Sequence, residues 1–202
     1  MLKLILASAS PRRIGLLKQV GLEFDIIPAN IDEDSENFHD AGKYAMEMSR
    51  QKAVSVAERI RGSVGHDALV LGADTVVGID GKILGKPADA DDARRMLKLL
   101  ENRWHEVTTG VTLVRADSLK AVTDKEVTRV KVPRYPKGFL DRYILSGEPV
   151  DKAGSYAIQG FGSLMVERIE GCFFNVMGLP LFKLSRMLER EGFEVLSWKF
   201  KI

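Results

Sequence analysis

The chain has 202 residues, 45% of them apolar and 29% charged, which supports a packed core and excludes wholesale disorder. Thirty Lys and Arg against 28 Asp and Glu leave a net charge of +2, too mild for a surface that coats nucleic acid, so affinity for anions has to come from a local cluster. The one cysteine, Cys172, excludes an intramolecular disulfide and a cysteine-rich metal site. It fits a reducing, cytoplasmic setting. The length suggests one domain over residues 1–202, and neither a signal peptide nor a membrane-spanning run is expected.

Residues 2–7 read as a buried strand that turns sharply into a helix. Ser10 suits the N-cap and Pro11 the first helical position, where its missing N–H is no loss. Arg12 and Arg13 then fall in the first turn, where the helix dipole favours anions over cations. With Ser8 and Ser10 beside them, a phosphate site is one reading; two solvated arginines on a turn is the other. Gly21 is a natural helix stop. A strand is expected over 23–28, then an acidic loop over 32–36.

A long helix is expected over 41–61, with Ala45, Met48, Val56 and Ile60 on its apolar stripe. Lys52 falls in the same stripe. Spacing alone favours a core-facing lysine that snorkels to solvent; the alternative is that this face borders a polar cleft. The apolar run over 67–77 reads as a central strand. Asp74 interrupts it, and a carboxylate flanked by Leu69-Val70-Leu71 and Val76-Val77 is costly unless paired, hydrogen-bonded or metal-bound. Asp74 is therefore the best single candidate for chemistry. Asp80-Gly81 predicts a hairpin turn, with a short return strand over 82–85. Pro87 biases Lys86 to an extended conformation at the strand end, where it either points at a site or is solvated.

Asp89 predicts the N-cap of a helix running through Met96, Leu97 and Leu100. Residues 105–115 and 119–132 read as antiparallel strands, in which Thr108 and Thr109 are taken as ordinary strand formers with no role. A short helix is expected over 136–146, a strand over 163–169, a helix over 180–191 and a last strand over 193–200. Between them lies a polar, glycine-punctuated stretch over 151–160, in which Gln159 is either a surface amide or a reader of a base edge. Alternating strands and helices around a hairpin predict an α/β fold with a mixed sheet.

Four motifs follow one another: Ser8-Ala9-Ser10-Pro11-Arg12-Arg13, Gly72-Ala73-Asp74-Thr75, Gly85-Lys86-Pro87 and Asp151-Lys152-Ala153-Gly154-Ser155-Tyr156-Ala157-Ile158-Gln159-Gly160. Together they resemble the Maf family of nucleoside triphosphate pyrophosphatases, over residues 2–188. The resemblance implies an inosine-triphosphate-pyrophosphatase-like α/β fold, with a mixed central sheet flanked by helices and two lobes around a cleft. It implies hydrolysis of a nucleoside triphosphate to the monophosphate and pyrophosphate with a divalent cation, Mg²⁺ or Mn²⁺. Arg12, Thr75 and Gln159 match the three specificity positions of the subgroup that hydrolyses dTTP and UTP, whereas the 7-methyl-GTP subgroup carries tryptophan at the position of Arg12.

By the same resemblance Asp74 is the proton acceptor, and Lys52, Lys86 and Glu33 match the family's conserved lysines and acidic residue; with the strand-to-helix turn read as above, Arg13, Lys52 and Lys86, helped by Ser8, are expected to hold the phosphates. Glu33, with Asp32 and Asp34 as rivals, and Asp74 would ligate the metal. A homodimer is implied, and neither a nucleic acid nor a membrane is an expected partner. The family's link to septum formation keeps open a nucleotide-binding regulator of cell division in which hydrolysis is incidental. A 7-methyl-GTP pyrophosphatase, or a preference for pseudo-UTP or 5-methyl-UTP, also stays open.

Overall fold

In the computed structural model, residues 2–31, 40–62, 68–193 and 195 are described. Strand β1 (Lys3–Leu6) leads into helix α1 (Pro11–Gln19) and the two-residue strand β2 (Asp25–Ile26). Ser10 holds the N-cap position of α1 and Pro11 its first turn, but the Ser10 hydroxyl makes no capping bond; the Ser10 N–H instead donates to Ser8 Oγ at 3.3 Å. Gly21, at φ +73°, closes the helix, with Gly21 N–H on the Lys18 carbonyl and Leu22 N–H on that of Leu17. That pairing is a Schellman cap, and its left-handed residue favours glycine.

Helix α2 (Ala41–Ile60) starts at Asp40, whose carboxylate accepts from Lys43 N–H at 2.9 Å. It is followed by β3 (Ala68–Ile79), the hairpin strand β4 (Lys82–Leu84) and α3 (Ala90–Leu100). Both turn residues of the hairpin, Asp80 and Gly81, have positive φ, as a tight hairpin turn of matching twist requires. The long strands β5 (Trp104–Arg115) and β6 (Ala121–Lys131) come next, then α4 (Phe139–Leu145), β7 (Arg168–Glu170), α5 (Phe173–Met177) and α6 (Leu181–Arg190). Among the described residues no helix is long and apolar enough to cross a membrane.

The described strands form one sheet in the order β2-β1-β3-β5-β6-β7, with β4 also on β3. β1 runs parallel to β2 and β3, and the remaining pairs are antiparallel, so the sheet is mixed as expected. One face of β1 and β3 packs Leu4, Leu6, Leu69 and Leu71 against α1 and α6; the other packs Ile5 and Val70 against Ala53, Val56 and Ala57 of α2. A separate core gathers Val77, Leu84, Met96, Leu97, Val107, Tyr143 and Tyr156 around the far ends of β3 and β5.

One expectation needs correction. The strand expected over 163–169 is a 3₁₀ helix over Gly160–Met165, and only Arg168 and Ile169 belong to β7. Its cause is Glu148, whose carboxylate accepts from the N–H groups of Phe161 and Gly162 and curls the chain back. Helix α5 was not expected, being too short at five residues to show a period. The strand expected over 193–200 lies outside the described residues, apart from Phe193 and Val195, neither of which is in a strand.

Candidate active site

The site comes from a split in the sheet. β5 accompanies β3 without a break from Leu69 to Gly78. On its other edge β3 pairs with β1 over Ala68 to Leu71 and with β4 over Val77 to Ile79, so Gly72 to Val76 have no described strand beside them. After Ala7 bonds Leu71, β1 turns away through Ser8, and a cleft of about 680 Å³ opens over the uncovered edge. A crevice where neighbouring strands part is where open α/β sheets bind ligands. Ser8, Arg12, Arg13, Lys52, Asp74, Thr75, Lys86 and Gln159 all line this one cleft. Glu33, Asp32 and Asp34 lie outside the described residues.

Asp74 projects to the α2 side. There Lys52 Nζ donates to Asp74 Oδ1 at 2.5 Å, and the two residues are only 8% and 7% exposed. This overturns the reading from spacing: Lys52 does not snorkel out, because the stripe it shares with Ala45, Met48, Ser49, Ala53 and Val56 lies against the sheet over Asp74. Two glycines allow that approach. Gly72 lies two residues before Asp74 on the same face, and Gly110 is its direct partner on β5. A Cβ on Gly72 would collide with the Ser49 carbonyl, and one on Gly110 with that of Ala45. The expectation that a carboxylate inside a buried strand must be paired is met.

Thr75 projects to the opposite face. Its Oγ1 accepts from Arg13 Nη2 at 3.1 Å and lies 2.9 Å from Thr109 Oγ1. The Arg13 guanidinium also donates from Nε to the Gly178 carbonyl at 2.9 Å and from Nη1 to Ser8 Oγ at 3.1 Å. At least three of its five N–H donors therefore hold protein atoms. Thr109, given no role by the sequence, is fully buried and donates to the Asn175 carbonyl at 3.0 Å.

The mouth is formed by the start of α1 and the segment over 151–159. Arg12 of α1 faces Asp151 at 3.6 Å, and Lys152 Nζ donates to Asp151 Oδ1 and to the Glu148 carbonyl, each at 2.6 Å. Burial works against ionisation of Asp151, but the Lys152 ammonium and the Arg12 guanidinium outweigh it and hold its carboxyl below the usual range. Lys86 and Gln159 are exposed at the rim. Tyr44 and Lys152 also line the cleft without having been singled out; Lys152 lay within the motif over 151–160. The described lining thus carries Arg12, Arg13, Lys52, Lys86 and Lys152 against Asp74 and Asp151, an arrangement suited to a polyanion.

No group of three or more His, Cys, Asp or Glu able to hold a metal occurs among the described residues. A closed zinc-type cage is not what these residues build. One carboxylate on the cleft floor does fit a hard divalent cation of the magnesium kind, which keeps waters and takes its other ligands from substrate phosphates.

A model of the family described as Maf-like protein matches residues 3–191. A protein named dTTP/UTP pyrophosphatase from Caldicellulosiruptor saccharolyticus is 46% identical, with 98% of each chain covered. One of the same name from a Thermoanaerobacter species is 48% identical over 94% of this chain and 97% of its own. The crystal structure of a nucleoside-triphosphatase / dITP/XTP pyrophosphatase from Mycobacterium abscessus covers 94% of both chains at 13% identity and a TM-score of 0.44. On the family match and on relatives this similar over nearly their whole length, the chain belongs to the Maf-like protein family.

Proposed function

We propose that this protein is a nucleoside triphosphate pyrophosphatase that converts dTTP and UTP to the monophosphate and pyrophosphate. The names of its relatives support the substrate class. The observation that carries the reading is the buried Lys52–Asp74 pair on the floor of a cation-lined cleft. A protein that only binds nucleotide needs the cations, whereas a carboxylate set into a strand and oriented by an ammonium is suited to handle a proton.

In this mechanism the triphosphate lies along Ser8, Lys86 and the N-terminus of α1, with Lys52 beneath it. Arg13 contributes charge and holds Ser8 and Thr75 in place. Asp74 orients the attacking water and accepts its proton as the water oxygen bonds to the α-phosphorus and the α–β bridging bond breaks. The proton ends on Asp74, and pyrophosphate leaves with the bond's electron pair. A magnesium or manganese ion held by Asp74, with Glu33 as a second ligand, would neutralise charge on the phosphate oxygens. Arg12, Thr75 and Gln159 face the base.

The test is Asp74→Asn, which keeps shape and removes the base. Turnover of dTTP is expected to fall by at least about 10²-fold, within the range of general base catalysis, while binding measured by calorimetry persists. Turnover equal to wild type refutes the assignment.

A further inference from the structure

The hydroxyls beside Asp74 have partners that determine where their protons lie. A threonine or serine hydroxyl has one proton and two lone pairs. Thr109 Oγ1 is 3.0 Å from the Asn175 carbonyl, which can only accept, so the Thr109 proton is directed there. The proton between Thr109 and Thr75, whose oxygens are 2.9 Å apart, then belongs to Thr75. Arg13 Nη2 can only donate, and it occupies one lone pair of Thr75 at 3.1 Å. Thr75 is left with a single lone pair and no proton for the cleft. Ser8 is the reverse: Ser10 N–H at 3.3 Å and Arg13 Nη1 at 3.1 Å take both of its lone pairs and leave its proton to donate, as a phosphate oxygen requires.

We propose that Thr109 is a positioning residue for base choice. By taking the proton of Thr75 it makes that side chain an acceptor only, and so sets the site to read an imide N–H. Uracil and thymine present such a donor at N3, whereas cytosine presents an acceptor there. Two acceptors facing each other in a partly desolvated cleft leave both without a hydrogen bond, and sites built around one hydrogen bond discriminate strongly against the analogue that cannot make it. The inference rests on the reading of the protein as a hydrolase of pyrimidine triphosphates. It deepens that reading by adding a residue 0% exposed that cannot itself touch substrate.

The experiment compares kcat/KM for UTP and CTP in wild type, Thr109→Val and Thr109→Ser. Wild type is expected to prefer UTP by at least about tenfold, the scale of one mismatched hydrogen bond. Thr109→Val keeps the volume but frees the Thr75 proton to turn into the cleft, and the preference should fall at least about tenfold. Thr109→Ser, which keeps the hydroxyl, should restore it. A purely structural role for Thr109 would lower both substrates together and leave their ratio unchanged, and that result overturns the inference. Thr109→Ala is the second variant should valine fail to fold. A wild type that hydrolyses CTP as readily as UTP overturns the inference without any variant and leaves the proposed activity standing. A folded wild type that hydrolyses no pyrimidine triphosphate removes both.

Discussion

Replacing Gly110 by alanine tests whether the spacing of α2 from the sheet sets the site. The added Cβ would collide with the Ala45 carbonyl and lie 2.7 Å from the Met46 amide nitrogen, both backbone atoms that no rotamer change can move aside. Restoring ordinary contact takes a shift of α2 by roughly 1 Å. Overpacking of this kind costs about 1–3 kcal/mol, which for a chain of this size lowers Tm by about 2–12 °C. The same shift carries Lys52 away from Asp74, and a misplacement of about 1 Å at a reacting centre lowers turnover by about 10²-fold. Thermal denaturation and pyrophosphate release from dTTP measure both effects. Gly15→Ala is the control: nothing lies within 4 Å of a Cβ at that position in α1, and alanine there should add about 0.5–1 kcal/mol through helix propensity alone. A Gly110→Ala protein with unchanged Tm and turnover would refute the close approach.

Acid should weaken the fold through His105, whose Nε2 lies 2.7 Å from the Tyr156 hydroxyl; burial pushes its pKa down to about 4. Below the ordinary value of 6.5 the unfolded chain binds a proton that the folded one does not, so this contribution to stability is present above 6.5 and is lost as pH falls to about 4, up to about 3 kcal/mol in all. Urea midpoints against pH should show that slope, and His105→Gln should flatten it. Arg12→Trp should change which nucleotide is hydrolysed more than the rate on the best one, whereas Arg13→Ala should depress every substrate, because Arg13 holds Ser8 and Thr75. A nucleotide panel checks both variants; a mild Arg13→Ala beside an inert Arg12→Trp would reverse the two roles.

Much of the site was legible because its residues sit in short local motifs. Ser8, Arg12 and Arg13 share one strand-to-helix turn, and Asp74 stood out as a carboxylate in an apolar run. The mixed sheet was legible from apolar runs and turn signals. Lys52 was misjudged from spacing because helical periodicity reports which face is buried and not what that face meets, and the glycines that admit α2 lie on two other elements. Thr109 gave no signal, since threonine is common in strands and its role exists only through the β3–β5 register that sets it opposite Thr75. The turn over Gly160–Met165 was missed because its cause, the Glu148 carboxylate, comes from an earlier segment.

Hydrolysis of dTTP in ¹⁸O-labelled water, with Mn²⁺ and mass analysis of both products, tests the central claim most directly. Water oriented by Asp74 onto the α-phosphorus predicts pyrophosphate as the released product, with the label in the monophosphate alone. Label in pyrophosphate, or release of orthophosphate, would contradict the mechanism, and binding of dTTP with no hydrolysis of any nucleotide would contradict the enzymatic reading itself.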